Sequence, residues 1–188
     1  MGDAADRQLI VTEDGCLVAS ANPHDASGFH SNIAWFATGE VCNDALESEW
    51  GVAAFSGTTR PLLTVDAPAE RVDLASAATG TDVRVRFVSE GKIRSRMIEA
   101  IDTAAPDDEI DIAMFYLSAR RIVEALARAA DRGVQVRLVL DPNKDAFGRE
   151  KGGIPNRQVA WELDALDRVT VRWYDTQGEQ FHTKLVMV

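Results

Sequence analysis

The sequence predicts an α/β protein, with a largely parallel or mixed sheet flanked by helices. Two observations carry this. From Val83 onward, apolar runs with strand alternation take turns with segments of helical spacing. The intervals are long enough for crossover helices, which parallel strands require. A third observation bounds the size: 188 residues, 46% of them apolar, suffice for one ordinary hydrophobic core.

The hairpin comes first. Leu9–Thr12 and Cys16–Ala19 are apolar runs joined through Glu13-Asp14-Gly15, and Asp-Gly is a tight-turn signal, so residues 9–22 read as a hairpin. A polar loop from Ser20 to Ser31 precedes a strand at Ile33–Ala37. Val41, Ala45, Leu46, Trp50 and Ala53 recur at helical spacing and predict an amphipathic helix over 41–55. Ser56 to Asp82 is rich in Ala, Thr, Pro and Gly without a sustained period, the composition of a connector.

Val83–Val88 is expected as a strand, and Ile93, Met97, Ile98 and Ile101 as the buried stripe of a helix. Glu109–Leu117 alternates and then turns fully apolar, as a strand entering a core does. Ser118 is placed to cap a helix whose stripe is Ile122, Leu126 and Ala129, and Gly133 to end it. A strand at Val134–Leu140, a helix near 156–166 and a strand at Val169–Tyr174 lead to the last segment. The four tryptophans fall on apolar stripes or strands and are expected in the core.

The net charge of −10 provides no global field toward DNA or anionic lipid, so no specific nucleic-acid partner is expected. Only Lys92, Lys144, Lys151 and Lys184 are lysines among the twenty cations, a bias that reflects genome composition rather than chemistry. Cys16 and Cys42 make no metal-ligand spacing and are too few for a disulfide framework. They are expected as two partly buried thiols in a reducing compartment. Neither a signal peptide nor an apolar run long enough to span a bilayer is present.

Chemistry concentrates at His182-Thr183-Lys184-Leu185-Val186-Met187-Val188. Strand alternation puts His182 and Lys184 on one face: a nucleophilic imidazole beside a cationic phosphate anchor. The segment resembles the phospholipase D superfamily motif H-x-K-x-x-x-x-D, whose aspartate would fall just past Val188. Asp6-Arg7-Gln8-Leu9-Ile10-Val11-Thr12-Glu13 lines up with the same segment, placing Asp6 and Gln8 where a first motif has histidine and lysine. The run Ala19-Ser20-Ala21-Asn22-Pro23, then Ser27, then His30-Ser31-Asn32-Ile33-Ala34, resembles the stretch after the motif in that family. Ala19 stands for the usual glycine, while Ser20 and Asn22 match. Asp141-Pro142-Asn143-Lys144-Asp145 and Asn156-Arg157-Gln158 look characteristic of the second half of a bacterial two-motif member.

The resemblance implies a fragment of a bilobal protein of the cardiolipin synthase-like type, running from a degenerate first motif to a truncated second. Residues 1–60 would belong to the first half, 61–82 to a connector and 83–188 to the second half. It implies His182 and Lys184 as catalytic residues, with Ser20, Asn22 and Lys144 toward the substrate, a phospholipid or other phosphodiester. It implies a phosphohistidine intermediate and no metal or other cofactor. The intact parent would be cytoplasmic or membrane-associated, with peripheral membrane contact. Asp6 and Gln8 lack the acid and the charge of a first motif, so the chain by itself is expected to be inactive or very weak. A non-catalytic phosphodiester- or head-group-binding module with a decayed first motif is the alternative.

Other candidates are thinner. Asp141-x-Asn143-x-Asp145 has the rhythm of a calcium loop, but Ala146 stands at the turn glycine and Gly152 at the bidentate glutamate. Lys144, Arg149, Lys151 and Arg157 lie beyond a strand end, where open α/β sheets place ligand crevices. His24 and His30 read as surface or loop-bracing residues. By analogy with the 9–19 hairpin, the His182 strand should pair with a strand beyond Val188, and without it the open edge is expected to give self-association or disorder of the last residues.

Overall fold

The computed structural model describes residues 8–22, 25–55, 57, 85–89, 91–142 and 155–188. They form two compact units. One holds the described residues of Met1–Ala19 and Ala34–Ser89, the other those of Ser20–Ile33 and Glu90–Val188. The expected connector at 61–82 lies outside the described residues.

In the first unit, β1 (Leu9–Thr12) and β2 (Gly15–Ala19) make the expected hairpin, with Thr12 opposite Gly15 across Glu13-Asp14. Glycine is required at 15, because a Cβ there would lie 2.6 Å from the Ala37 carbonyl oxygen and 2.7 Å from the Phe36 ring. β3 (Ala34–Ala37) pairs antiparallel with β2, and α1 (Glu40–Phe55) supplies the cover. The small core is Cys16, Cys42 and Leu46, with Leu9, Val11 and Trp50 against it.

Cys16 and Cys42 are joined by a disulfide, which corrects the expectation of two free thiols. Packing of β2 against α1 brings the two Cα atoms to 5.5 Å, within bonding geometry. The sequence separation of 26 residues could not reveal that proximity. Closing a loop of that length stabilises by about 3–4 kcal/mol in the chain-entropy picture. Cys42→Ala is therefore expected to lower the unfolding free energy of this unit by about that amount. Urea unfolding with and without reductant checks it; identical midpoints would contradict a stabilising bond.

The second unit runs η1 (Asp25–Phe29), α2 (Gly91–Thr103), β4 (Glu109–Met114), α3 (Arg120–Asp131), β5 (Gln135–Leu140), α4 (Pro155–Asp164), β6 (Val169–Trp173) and β7 (Lys184–Met187). The sheet order is β6-β5-β4-β7, with β6, β5 and β4 parallel and β7 antiparallel to β4. The predicted mixed α/β sheet is thus present. Alternation in β4 and β5 sends Ile110, Ile112, Met114, Val136, Leu138 and Leu140 into one core with Ile101, Val123, Leu126 and Leu163 from the helices. The opposite alternation carries Glu109, Asp111 and Arg137, where Arg137 bonds Asp111 at 2.6 Å and Glu109 at 2.8 Å. The guanidinium holds the Asp111 carboxyl below its ordinary range, chiefly through that hydrogen bond.

Several local expectations change. Residues 85–89 are not a strand, and 83–84 lie outside the described residues. Ile93 is exposed in the first turn of α2, whose stripe sinks into the core only toward Ile101. The N-cap of α3 is Ala119, without a side-chain cap bond, rather than Ser118. Gly133 does end α3, at φ 98°. Trp50 packs on a core, but Trp35, Trp161 and Trp173 are exposed. Trp161 projects from α4 away from the inward stripe of Val159, Ala160 and Leu163, and Trp173 ends the edge strand β6.

Candidate functional site

The parallel strands deliver three chain ends to one place, and one buried side chain ties two of them. Asn156, fully buried at the start of α4, accepts the N–H of Leu117 at 2.8 Å through Oδ1. Its Nδ2 donates to the carbonyls of Phe115 (2.6 Å) and Asp141 (3.1 Å). The segments leaving β4 and β5 are thereby fixed to each other and to α4. Every hydrogen-bonding group that a buried amide needs is matched by backbone.

This frame positions the motif. The Asp141 carboxylate, also buried, accepts the N–H of Phe181 at 2.7 Å. Phe115 donates its N–H to the Thr183 carbonyl at 2.8 Å, continuing the β4–β7 pairing. Phe181 stacks on Tyr174, centroids 4.5 Å apart. Thr183 and Phe181 point inward, so His182 and Lys184 share the outward side. β7 itself begins at Lys184, with His182 immediately ahead of it.

The segment 20–33 belongs to the same unit and reaches the motif directly. Ser31 forms a parallel bridge with Phe181, and its N–H donates to the Gln180 carbonyl at 2.9 Å. Asn32 then faces His182, with Oδ1 3.2 Å from Nδ1. The amide orientation is set, because Nδ2 donates to the carbonyls of Ser27 (2.8 Å) and His30 (3.1 Å), which only accept. Ser20 reinforces it: its hydroxyl accepts the Ile33 N–H at 2.9 Å and donates to Asn32 Oδ1 at 3.1 Å. His182 must therefore carry its proton on Nδ1, which leaves the lone pair on Nε2. The Lys184 ammonium sits 3.0 Å from Nε2, 3.1 Å from Nδ1 and 3.2 Å from the His182 carbonyl. Being nearly equidistant from the two ring nitrogens, the ammonium lies against the ring, and it donates to that carbonyl.

Of the predicted site residues, His182, Lys184 and Ser20 come together, Ser20 through Asn32. Asn22 ties its own segment, donating its backbone N–H to Ser27 Oγ at 2.9 Å. Lys144 and Asp6 lie outside the described residues, as do Arg149 and Lys151. Gln8 belongs to the other unit, where its carbonyl accepts the Ala19 N–H. Arg157 is exposed on α4.

Two residues were not read as site residues in the sequence: Asn32, and His30, whose ring centroid is 6.4 Å from that of His182. A signal existed. Phe29-His30-Ser31 repeats Phe181-His182-Thr183, and the fold lays the two copies side by side. Among the described residues, no group of three or more His, Cys, Asp or Glu is arranged to hold a metal ion. No helix among them is long and apolar enough to cross a membrane.

The family described as "Cardiolipin synthase, PLD-like domain" matches residues 97–188, which contain the frame and the H-x-K segment. Residues 97–188 are thus a phospholipase D-like domain. The crystal structure of phosphatidylserine synthase from Haemophilus influenzae Rd KW20 superposes with a TM-score of 0.58 at 13% identity, over 97% of this chain. This phospholipase D-like chain spans about half of that protein, 51%. Polyphosphate kinase from Porphyromonas gingivalis matches at a TM-score of 0.46 and 10% identity, over 96% of this chain and 25% of its own. No curated protein matches by sequence.

Proposed function

We propose that the His182–Lys184 site takes a phosphodiester, with a phospholipid as the substrate class, and that His182 is the nucleophile of a phospholipase D-type reaction. The observation that carries this is the pairing of Asn32 Oδ1 with His182 Nδ1, which reserves the Nε2 lone pair for phosphorus. In the unliganded site the Lys184 ammonium lies against the His182 ring, 3.0 Å from Nε2 and 3.1 Å from Nδ1. A phosphoryl oxygen offers the ammonium a charged, stronger acceptor, so the anion is held beside the imidazole that attacks it. Nε2 then forms the N–P bond as the P–O bond to the alkoxide breaks, and the alkoxide takes a proton. In a second step water or an alcohol attacks phosphorus as the N–P bond breaks and Nε2 is released. The attacking group's proton passes to solvent or to the first leaving group's donor, giving hydrolysis or phosphatidyl transfer.

The family resemblance leaves the proton donor weak in this chain, because Asp6 and Gln8 stand at the first-motif histidine and lysine. A carboxyl at that place donates only when protonated, and as a carboxylate it repels the diester. Turnover by this chain is therefore expected to be very slow or nil. The degenerate pair also favours the second reading, in which the site holds a phosphodiester head group without cleaving it.

The test is turnover of a chromogenic phosphodiester with a chelator present, alongside binding of an uncleavable dialkyl phosphate. Slow turnover that the chelator leaves unchanged supports the catalytic reading. Saturable binding without turnover supports the head-group module. Neither binding nor turnover contradicts both.

Self-association is proposed through β7, an edge strand of its sheet among the described residues, whose outer side can pair with a second copy. Sedimentation is expected to show mass rising with protein concentration, and a constant monomer mass counts against it.

A further inference from the structure

We propose that His30 is a second phosphoryl-contacting residue of the site, a neutral imidazole donating through Nε2–H across from Lys184. This rests on the reading of the site as a phosphodiester site and adds a residue that the first-motif positions do not supply. His30 Nδ1 lies 3.1 Å from the Gln180 N–H, a group that only donates, so Nδ1 is the acceptor. The ring proton of neutral His30 is then on Nε2. His182 has the opposite tautomer, with Nδ1–H on Asn32 and its lone pair on Nε2. The two imidazoles therefore present complementary groups: one lone pair and one N–H.

The geometry suits one anion held by both rings. The centroids are 6.4 Å apart and the planes inclined by 46°. The rings are thus near neighbours, and one anion with hydrogen bonds of about 2.8 Å to a ring nitrogen can reach both. His30 is also rigidly held for a loop residue. Its N–H donates to the Ser27 carbonyl (3.2 Å), its carbonyl accepts Asn32 Nδ2 (3.1 Å), and its ring nitrogen is tied to Gln180. Half-buried, it keeps a route to solvent. Bracing of the loop uses Nδ1 alone, and among the described residues no hydrogen bond occupies Nε2.

The acidic group facing His30 is Glu179, whose carboxylate is already engaged by its own backbone N–H, the Tyr174 hydroxyl and the Gln177 N–H.

The test is a titration of the whole chain with inorganic phosphate, monitored by nitrogen-15 shifts of the assigned histidine rings. The expected result is that His30 Nε2–H and His182 Nε2 both move, with one dissociation constant. His30→Ala should weaken phosphate binding about tenfold or more, the effect of losing one hydrogen bond to a charged group. His30→Gln, whose amide can donate from the position of Nε2, should restore most of it. Movement of His182 with His30 Nε2 unperturbed would overturn this inference and leave the reading of the site standing. No movement of either ring would overturn both. If His30→Ala fails to fold, the shifts of the unsubstituted chain still decide.

Discussion

Asn156→Leu is expected to cost about 3–5 kcal/mol of unfolding free energy, a large part of the 5–15 kcal/mol typical of a domain. Leucine nearly matches the volume but strands the Leu117 N–H and the Phe115 and Asp141 carbonyls in a fully buried place. Each unmatched buried group costs about 1–3 kcal/mol, and the sum falls short of additivity because the segments can shift. Asn156→Asp should do no better. A carboxylate keeps the bond from Leu117 but sets an oxygen against two carbonyl oxygens. Equilibrium urea unfolding measures both, and a loss below about 1 kcal/mol in the leucine variant would show that the frame does not depend on this amide.

His182→Ala is expected to abolish whatever diester turnover the chain shows, since His182 is the group that takes the phosphoryl bond in this reading. Asn32→Leu should lower turnover on the order of 10²-fold or more while keeping the imidazole. Without Oδ1 the ring loses the acceptor that holds its proton on Nδ1, and Lys184, 3.1 and 3.0 Å from the two nitrogens, favours neither tautomer. The contrast separates nucleophile from orienting partner. Nitrogen-15 shifts should report a mixture of tautomers in Asn32→Leu and a single one in the parent chain. An unchanged rate with a single tautomer would show that Asn32 does not orient the ring.

The fold was legible where side-chain period and burial coincide. β4 and β5 alternate with period two, because one face packs on α2, α3 and α4, so Ile110, Ile112, Val136 and Leu138 announce themselves. The hairpin was legible because Gly15 sits where a Cβ would strike Phe36 and Ala37. The features that could not be read depend on pairs far apart in the chain. The Cys16–Cys42 bond is set by how β2 meets α1, and Asn156 by where two strand ends converge. Trp35, Trp161 and Trp173 misled because aromatic character in a strand or helix marks an element, not which of its faces is buried.

The site was half legible. His182 and Lys184 carry their spacing in the sequence, two residues apart on one strand face. Ser20 matched by resemblance, and the structure places it behind Asn32 as a hydroxyl relay from the Ile33 N–H. Asn32 and His30 sit 150 residues from their partners at the motif, a distance that local pattern does not cross. Only the short repeat of Phe-His and then serine or threonine pointed from one to the other.

The loop ahead of the motif adds a pH expectation. The Tyr174 hydroxyl bonds Glu179, and this bond raises the tyrosine above its ordinary range. Its own backbone N–H first, and then Tyr174, hold Glu179 below the usual carboxylate range. A depressed carboxyl contributes stability above its unfolded pKa and loses it as pH falls through the folded value. The loop carrying Gln180 should therefore loosen on acidification below the ordinary glutamate range, and hydrogen exchange at the Gln177 N–H, bonded to Glu179 at 2.8 Å, should report it. Protection unchanged down to the lowest folded pH would contradict this.

The most direct measurement is to locate the phosphoryl group. The chain is incubated with a chromogenic phosphodiester, quenched in alkali to preserve phosphohistidine, digested and read by mass spectrometry. A nucleophilic His182 predicts a phosphoryl group on that residue and none in His182→Ala. Turnover with the group on another residue, or persisting in His182→Ala, would contradict it.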